Sequence, residues 1–480
     1  MEQFLPSNVN YLDVLPRAIP SERKRRRFYP TGGNAEYVPG NEIRINIESP
    51  RAFLDPSNCY LNFQFTNATG QTVGVDLGGA YSFFSSVRIH QDGNEITRIQ
   101  NFNRLMSSII VPATGNIGIR GENSLIGSGR YANIGTAGNI NIVHPNAGLS
   151  GADLTIQQHN DDGQYALDEN VRFNMPMIGG LFSCNKLIPL PLLNRPIQLI
   201  FEIDPQPFNP LVGPMPFADY VIRDVSFVAD MVEVPHDVIG FMRELQVAHG
   251  GSLVLQGHSF EYNSDNVDAG FIGVKAVNVP SRKRSIKSIL FSAASSDYGG
   301  IAGGGVGDFS TYNLSFGGNM NLNSYFLRAG AMVMPQPAVR AAGDPAAAGA
   351  YEPLETQRGE AFMELKKAIG HMGKHMGTGI LSATNYGTID TDNADGAMMQ
   401  QSPIEDTPFI VCPYGLDLEA YQNEAVRAGL DTQTLSLDMQ LNLDIGAAGG
   451  GAAEPFRVDV FTLYDVQYYI NMDGTITFED

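Results

Sequence analysis

The residues whose spacing best suits chemistry are two histidines four positions apart, His371 and His375. On a helix this spacing would place both imidazoles on one face, as in helical metal sites. Glycines interrupt the segment at Gly370, Gly373 and Gly377, and each of them weakens a helix. We therefore interpret AIGHMGKHMG as a loop and predict no metal site there.

Motifs for other catalytic sites are missing from the sequence. The glycine-rich stretch 299–308 lacks the Gly-Lys-Ser/Thr of a phosphate-binding loop, and no serine lies in a G-x-S-x-G motif. A two-domain cupin would need a His-x-His pair for its metal, and none of the eight histidines forms one. The sequence thus predicts a protein that is not an enzyme and that uses no cofactor or metal.

The strongest charged feature is a run of five cations near the start of the chain: Arg23, Lys24, Arg25, Arg26 and Arg27. Five adjacent cations do not pack in a core, so the run is predicted to lie in an extended arm. Phosphates, lipid head groups, an acidic neighbour or a nuclear import receptor could bind it. A solvated arm with no partner is the alternative reading.

The rest of the chain is acidic. The net charge is −20, although residues 1–30 contain six cations and only three anions, which leaves −23 for the remainder. An acidic body repels phosphate backbones, so we do not expect sequence-specific nucleic-acid binding. Any contact with a genome or with an inner membrane is expected to run through the arm alone.

Composition points to a β protein with more than one domain. A chain of 480 residues is too long for one core, and 17% charged residues with 52 glycines and 28 prolines is typical of many short strands and turns. The three cysteines are far apart and form no CxxC, so we expect no disulfide framework and a reducing compartment. No secretory signal or membrane-spanning segment is predicted.

Alternation of apolar and polar residues predicts strands that are buried on one face. In EIRINIES the apolar residues Ile43, Ile45 and Ile47 alternate with polar ones, and Asp92-Gly93 is placed to form a tight hairpin turn. Short helices are predicted after the hairpin and in PHDVIGFMREL and GEAFMELKKAIG. Three segments rich in glycine or alanine are predicted as long loop insertions: 112–165, 297–350 and 370–405.

One strand is written twice in the chain. IQLIFEID at Ile197–Asp204 is echoed by MQLNLDI at Met439–Ile445, and the downstream RDVSFVADM is echoed by YDVQYYINM at nearly the same offset of 241 residues. This period is too long for a solenoid, so we interpret it as a duplication of a whole β domain. The predicted fold is all-β, with two tandem jelly-roll β-sandwiches. The predicted divisions are an arm at 1–37, a first jelly roll at 38–235, a linker helix at 236–249 and a second jelly roll at 250–480.

Three stretches carry a resemblance to a known family. They are FFSSVRIHQDGNEITRIQNFNRL, RFNMPMIGGLFSCNKLIPLPLLNRPIQLIFEI and VPSRKRSIKSILFSA. With the duplication, their order resembles that of the double jelly-roll major capsid proteins of the tectivirus, adenovirus, virophage and polinton-like lineage. No stretch is diagnostic alone, but together they extend the likeness over about residues 40–480.

The resemblance implies a role in a virus particle. Three chains would form a homotrimeric, pseudo-hexagonal capsomer, and capsomers would tile an icosahedral shell with penton and minor capsid proteins. The insertions would form turrets on the outer face, and the arm would lie near the inner membrane, the genome or neighbouring capsomers. A tandem carbohydrate-binding, lectin-like protein is the alternative, although the absence of tryptophan counts against it.

Overall fold

The computed structural model describes most of the predicted strands and part of the loops. The described residues are 21–68, 73–76, 78–114, 132–134, 140–142, 164–165, 170–207, 209–214, 220–248, 250–268, 271, 273–295, 309–310, 314, 322–341, 359–370, 413–419, 429–443 and 456–480. His371 and His375, and most of the three predicted insertions, lie outside these residues.

The first half of the chain contains fourteen of the described strands. They are β1 Glu22–Phe28, β2 Glu36–Tyr37, β3 Glu42–Ile47, β4 Ala52–Thr66, β5 Val73–Val75, β6 Phe84–Gln91, β7 Asn94–Gln100, β8 Ala132–Ile134, β9 Ile140–Ile142, β10 Gln164–Tyr165, β11 Asn170–Pro176, β12 Ile197–Ile203, β13 Leu211–Pro214 and β14 Val221–Glu233. Its helical segments are the 3₁₀ turns Gly79–Phe83, Gly180–Ser183 and Leu190–Leu192, and a first-half helix made of Phe102–Leu105, the π-helical turn Met106–Ile110 and Val111–Thr114.

A linker helix, His236–Ala248, joins the halves, as the sequence predicted. The second half contains ten described strands and one described helix, Gly359–Gly370, which we call the second-half helix. Its strands are β15 Ser252–Val267, β16 Gly273–Val279, β17 Ile286–Ser295, β18 Phe309–Ser310, β19 Leu322–Ala329, β20 Met332–Arg340, β21 Tyr414–Asp417, β22 Leu437–Leu443, β23 Phe456–Asn471 and β24 Ile476–Glu479.

Each half is built on one five-stranded and one four-stranded antiparallel sheet, and β2 and β24 are the fifth strands, paired with β14 and β23; the other four strands of each sheet follow the same order in both halves. In the first half the orders are β1-β14-β4-β11 and β3-β12-β6-β7, and in the second they are β15-β23-β17-β21 and β16-β22-β19-β20. The echoed strands β12 and β22 occupy the second position of one sheet, and β14 and β23 the second position of the other. In chain order, the helix of each half follows the last strand of one sheet and precedes the last strand of the other sheet. The topology of these four sheets and the two helices therefore repeats, which confirms the predicted double jelly roll.

Period-two alternation fills both cores. Ile43, Ile45 and Ile47 are all fully buried on one face of β3, as the sequence predicted. Aromatic residues pack edge to face in the first half, with the rings of Phe63 and Phe84 5.4 Å apart. Burying such side chains accounts for most of the stability of each sandwich.

One predicted insertion is wrong in part. Residues 322–340, within the predicted loop 297–350, form the hairpin β19–β20, which belongs to the second half's sheet. Leu322, Tyr325 and Leu327 are buried there. The glycine, alanine and proline content of this stretch made it resemble a loop, although the inward residues of both strands are apolar. β20 tolerates its prolines because it is the outermost described strand of its sheet.

Candidate functional site

The basic run forms a strand of the first jelly roll. β1 pairs antiparallel with β14 over its whole length, from Glu22 opposite Glu233 to Phe28 opposite Phe227. Phe28 is buried, whereas residues 22–27 are exposed. The structure thus places the five cations on an outer strand of a sheet, although the sequence predicted an arm separate from the jelly roll.

Two of the five cations are neutralised by carboxylates of the same chain. Arg23 bonds to Asp230 at 2.6 Å and to Asp55 at 2.9 Å. Lys24 lies 2.7 Å from Glu233 and 3.0 Å from Glu22, and hydrogen bonds to these carboxylates raise the pKa of Lys24. These pairs are exposed, so each contributes little to stability.

The other three cations have no ion pair within the described part of the chain. Arg25 donates to the hydroxyl of Tyr60 and lies over its ring, 5.4 Å from the centroid. Arg26 lies over the ring of Phe28 at 5.0 Å. Both arrangements place the guanidinium against an aromatic ring and provide no carboxylate to compensate its charge. The charge available to an outside partner therefore comes from Arg25, Arg26 and Arg27 rather than from all five cations.

A second polar site lies between the two halves. Arg104, on the first-half helix, is 2% exposed and its Nε lies 3.0 Å from a carboxylate oxygen of Asp459 on β23, which is fully buried. The guanidinium also donates to the carbonyls of Ala293 and Leu314. A buried charge is tolerated only when it is paired and fully hydrogen-bonded, so this arginine fixes how the halves meet.

Asp459 is shared by further donors from its own half. Tyr262 donates its hydroxyl to Asp459 at 2.8 Å, and the Nε of Arg457 lies 2.6 Å from the same oxygen. Burial and the nearby negative charge of Asp459 raise the pKa of Tyr262, so it stays a donor throughout the neutral range. The sequence analysis missed this site, although an arginine within an apolar helix face is a signal that could have indicated it.

The pocket beside this pair is lined mostly by polar residues. It has a volume of about 340 Å³ and is lined by residues that include Arg104, Asp204 and Arg457. Burial raises the pKa of Asp204, but its carboxylate accepts hydrogen bonds from Asn103 at 2.5 Å and Asn209 at 2.9 Å. These hydrogen bonds fix the side chain of Asp204 in place, so its role is structural.

The described residues contain no group of three potential metal ligands. Within the same residues, no helix is long and apolar enough to cross a membrane. Cys59 and Cys184 are both buried free thiols, and burial raises the pKa of Cys184 to about 12. Thiols held protonated in this way are poor nucleophiles.

Comparison with known proteins gives a match in structure only. No protein-family model and no curated protein sequence matches the chain. Among solved structures, the PBCV-1 capsid protein VP54, fitted into a reconstruction of the virophage Sputnik, is similar with a TM-score of 0.58 at 10% identity, covering 97% of this chain and 98% of that one.

Two further structures carry the same likeness. The Faustovirus major capsid protein is similar with a TM-score of 0.55 at 9% identity, covering 97% of this chain and 92% of that one. For the mavirus major capsid protein the TM-score is 0.53 at 10% identity, with coverage of 100% and 95%. Over the residues that the structure describes, the chain has a double jelly-roll fold that is similar to the fold of the major capsid proteins of these viruses.

Proposed function

We propose that this chain is the major capsid protein of an icosahedral virus and that it acts as a homotrimer. The observation that carries the proposal is the likeness in fold, which extends over nearly all of this chain and nearly all of each viral major capsid protein compared. Two jelly rolls of equal topology support it, because three such chains supply six similar edges to a hexagonal lattice.

The chain's chemistry agrees with a structural role. The buried ionisable groups Arg104, Asp459 and Asp204 are tied into structural hydrogen bonds. A lectin-like function gains no specific support, because the exposed large aromatic residues among the described ones, Tyr29, Phe241 and Phe478, lie in three separate parts of the chain. We propose the virion capsid as the location of the protein.

The cations Arg25, Arg26 and Arg27 are proposed to act during assembly. Their uncompensated charge suits an acidic or phosphate-bearing surface on the inner side of the shell, such as a genome, an inner membrane or a neighbouring capsomer. Penton and minor capsid proteins are the further partners that a shell of this design would need.

Expression of the full chain followed by sedimentation and electron microscopy tests the proposal. We expect trimers that assemble into closed shells or hexagonal sheets when the salt concentration is varied. A protein that stays monomeric at micromolar concentration under all salt conditions would show that the fold serves another function here.

A further inference from the structure

The last strands of the second half form a hairpin that contacts the first half. β24 folds back on the end of β23 and pairs antiparallel with it. The turn between them is closed by Asp473, whose carboxylate accepts hydrogen bonds from the N–H of Thr475 at 2.9 Å and from its hydroxyl at 2.6 Å. β14, the counterpart of β23, leads into the linker helix instead. We call residues 472–480 the strap.

One side chain of the first half binds the backbone of the strap at two points. The Nε2 of Gln91 donates to the carbonyl of Gly474 at 2.7 Å, and its Oε1 accepts a hydrogen bond from the N–H of Ile476 at 2.7 Å. Gln91 is only 2% exposed. The strap therefore supplies partners for both ends of a buried amide, and such an amide costs free energy when it is left unpaired.

The turn of the strap also fits closely against the loop before β12. The N–H of Asn194 donates to the carbonyl of Gly474 at 3.1 Å. A Cβ at position 474 would lie 2.4 Å from the backbone nitrogen of Asn194 and 2.9 Å from the carbonyl oxygen of Leu192. The φ of Gly474 is 79°, in the left-handed region that favours glycine. The close approach and the backbone conformation thus both require glycine at this position.

The strap and the buried ion pair join the halves at opposite ends of β23. Asp459, the partner of Arg104, lies near the start of this strand, and the strap follows its end at Asn471. A strand rises about 3.3 Å per residue, so the two contacts are about 40 Å apart. Two contacts at this separation fix the angle between the halves, whereas either contact alone would leave that angle free to change.

The strap is short and largely exposed. β24 has four residues, of which Thr477 and Phe478 are exposed. In the turn, Met472 is exposed as well. The ion pair of Asp480 with Lys283, at 2.6 Å, joins the strap to its own half and not to the first half. Because short exposed segments open at a lower free energy than core strands, we expect the strap to open first.

We propose that the strap is a clasp that holds the two jelly rolls at one relative angle. While it is bound at Gln91 and Asn194, the halves move as one unit. When it opens, the linker helix and the ion pair of Arg104 with Asp459 keep the halves joined, but the angle between them can change. The inference concerns a single chain and does not depend on the proposed capsid function.

Hydrogen exchange of the 480-residue protein, followed by mass spectrometry, tests the clasp. Some backbone amides donate across the joint between the halves, namely those of Asn185, Asn194, His258 and Ile476. In the wild-type protein they should lose protection together, at a lower urea concentration than the core strands β12 and β22. Loss of protection in the joint and in the core at the same urea concentration would overturn the proposal.

Replacing Gln91 with methionine removes both hydrogen bonds and nearly keeps the size of the side chain. We expect exchange at the joint amides to become at least about tenfold faster in Gln91→Met, with β12 and β22 unchanged. Gln198→Met is the matched control, because Gln198 is a half-buried glutamine of the same sheet that bonds to Asn46 at 3.2 Å within the first half. It should leave all of these rates within about twofold.

Gly474→Ala opens the clasp by a second route and serves if Gln91→Met folds poorly. The added Cβ would collide with the backbone of Asn194, so the same amides should exchange faster although Gln91 is intact. Faster exchange confined to the strap, with Asn185 and His258 unchanged, would show that the strap does not control the joint and would overturn the proposal. Equal acceleration of the joint and the core strands would overturn it too, since it would mean a general loss of stability.

Discussion

Replacing Arg104 with methionine is expected to destabilise the joined halves by about 3 kcal/mol. Breaking a buried ion pair costs about 3–5 kcal/mol, because the remaining charge stays buried. The lower end of this range applies here, because Asp459 would keep its contacts with the Nε of Arg457 at 2.6 Å and with the hydroxyl of Tyr262 at 2.8 Å. The carbonyls of Ala293 and Leu314 would also lose a donor.

Urea unfolding at a fixed protein concentration measures the loss. The chain has no tryptophan, so far-ultraviolet circular dichroism and tyrosine fluorescence are suitable signals. Arg98→Met is the matched control, because Arg98 is an exposed arginine on β7, and it should change the free energy of unfolding by less than about 0.5 kcal/mol. Combining Arg104→Met with Asp459→Asn should cost clearly less than the sum of the single losses, because the two residues interact directly.

The reasoning fails if Arg104→Met costs no more than the Arg98→Met control. Such a result would show that Asp459 is satisfied by its own half and that the halves are held together by apolar contacts alone. Additive single losses would equally refute a direct interaction between Arg104 and Asp459.

Three further outcomes are expected. Protonation of His258 is opposed by burial and by Lys287, although Asp465 favours it, so its pKa falls to about 4 and stability should drop by up to about 2 kcal/mol between pH 7 and pH 5. The loss should vanish in His258→Gln, and an equal loss in that variant would assign it to other groups. Short deletions within 115–131 should leave folding and oligomerisation intact, which circular dichroism and light scattering would check, and insoluble protein would contradict it. Serine at all five basic positions should lower the melting temperature only slightly, since the four ion pairs of Arg23 and Lys24 that are lost are exposed. It should weaken salt-sensitive assembly by about 3 kcal/mol, from the loss of three uncompensated cations. The changed residues are Arg23, Lys24, Arg25, Arg26 and Arg27. Unchanged particle yield across salt concentrations would show that these cations have no role in assembly.

The strands and their duplication could be predicted because they depend on local pattern. Ile43, Ile45 and Ile47 point to one face whatever the rest of the chain does, and the tight turn at Asp92-Gly93 depends on residues that adopt positive φ, here 53° and 81°. The sequences of β12 and β22 are similar because both strands have the same buried positions in equivalent sheets.

The interaction sites could not be predicted in the same way, because their partners are distant in sequence. Arg23 is neutralised by Asp230, which lies 207 residues away, and Arg104 meets Asp459 at a separation of 355 residues. Nothing local distinguishes such a paired cation from a solvated one. The predicted arm, residues 1–37, includes β1. The pairing of β1 with the distant β14 is not visible in a run of arginines.

Negative-stain electron microscopy of the purified chain tests the central claim most directly. Three copies would have a mass of about three times 52.0 kDa, large enough for class averages. The account predicts threefold particles with a pseudo-hexagonal outline and six similar lobes, one for each jelly roll. Two-lobed single chains at micromolar concentration would contradict it.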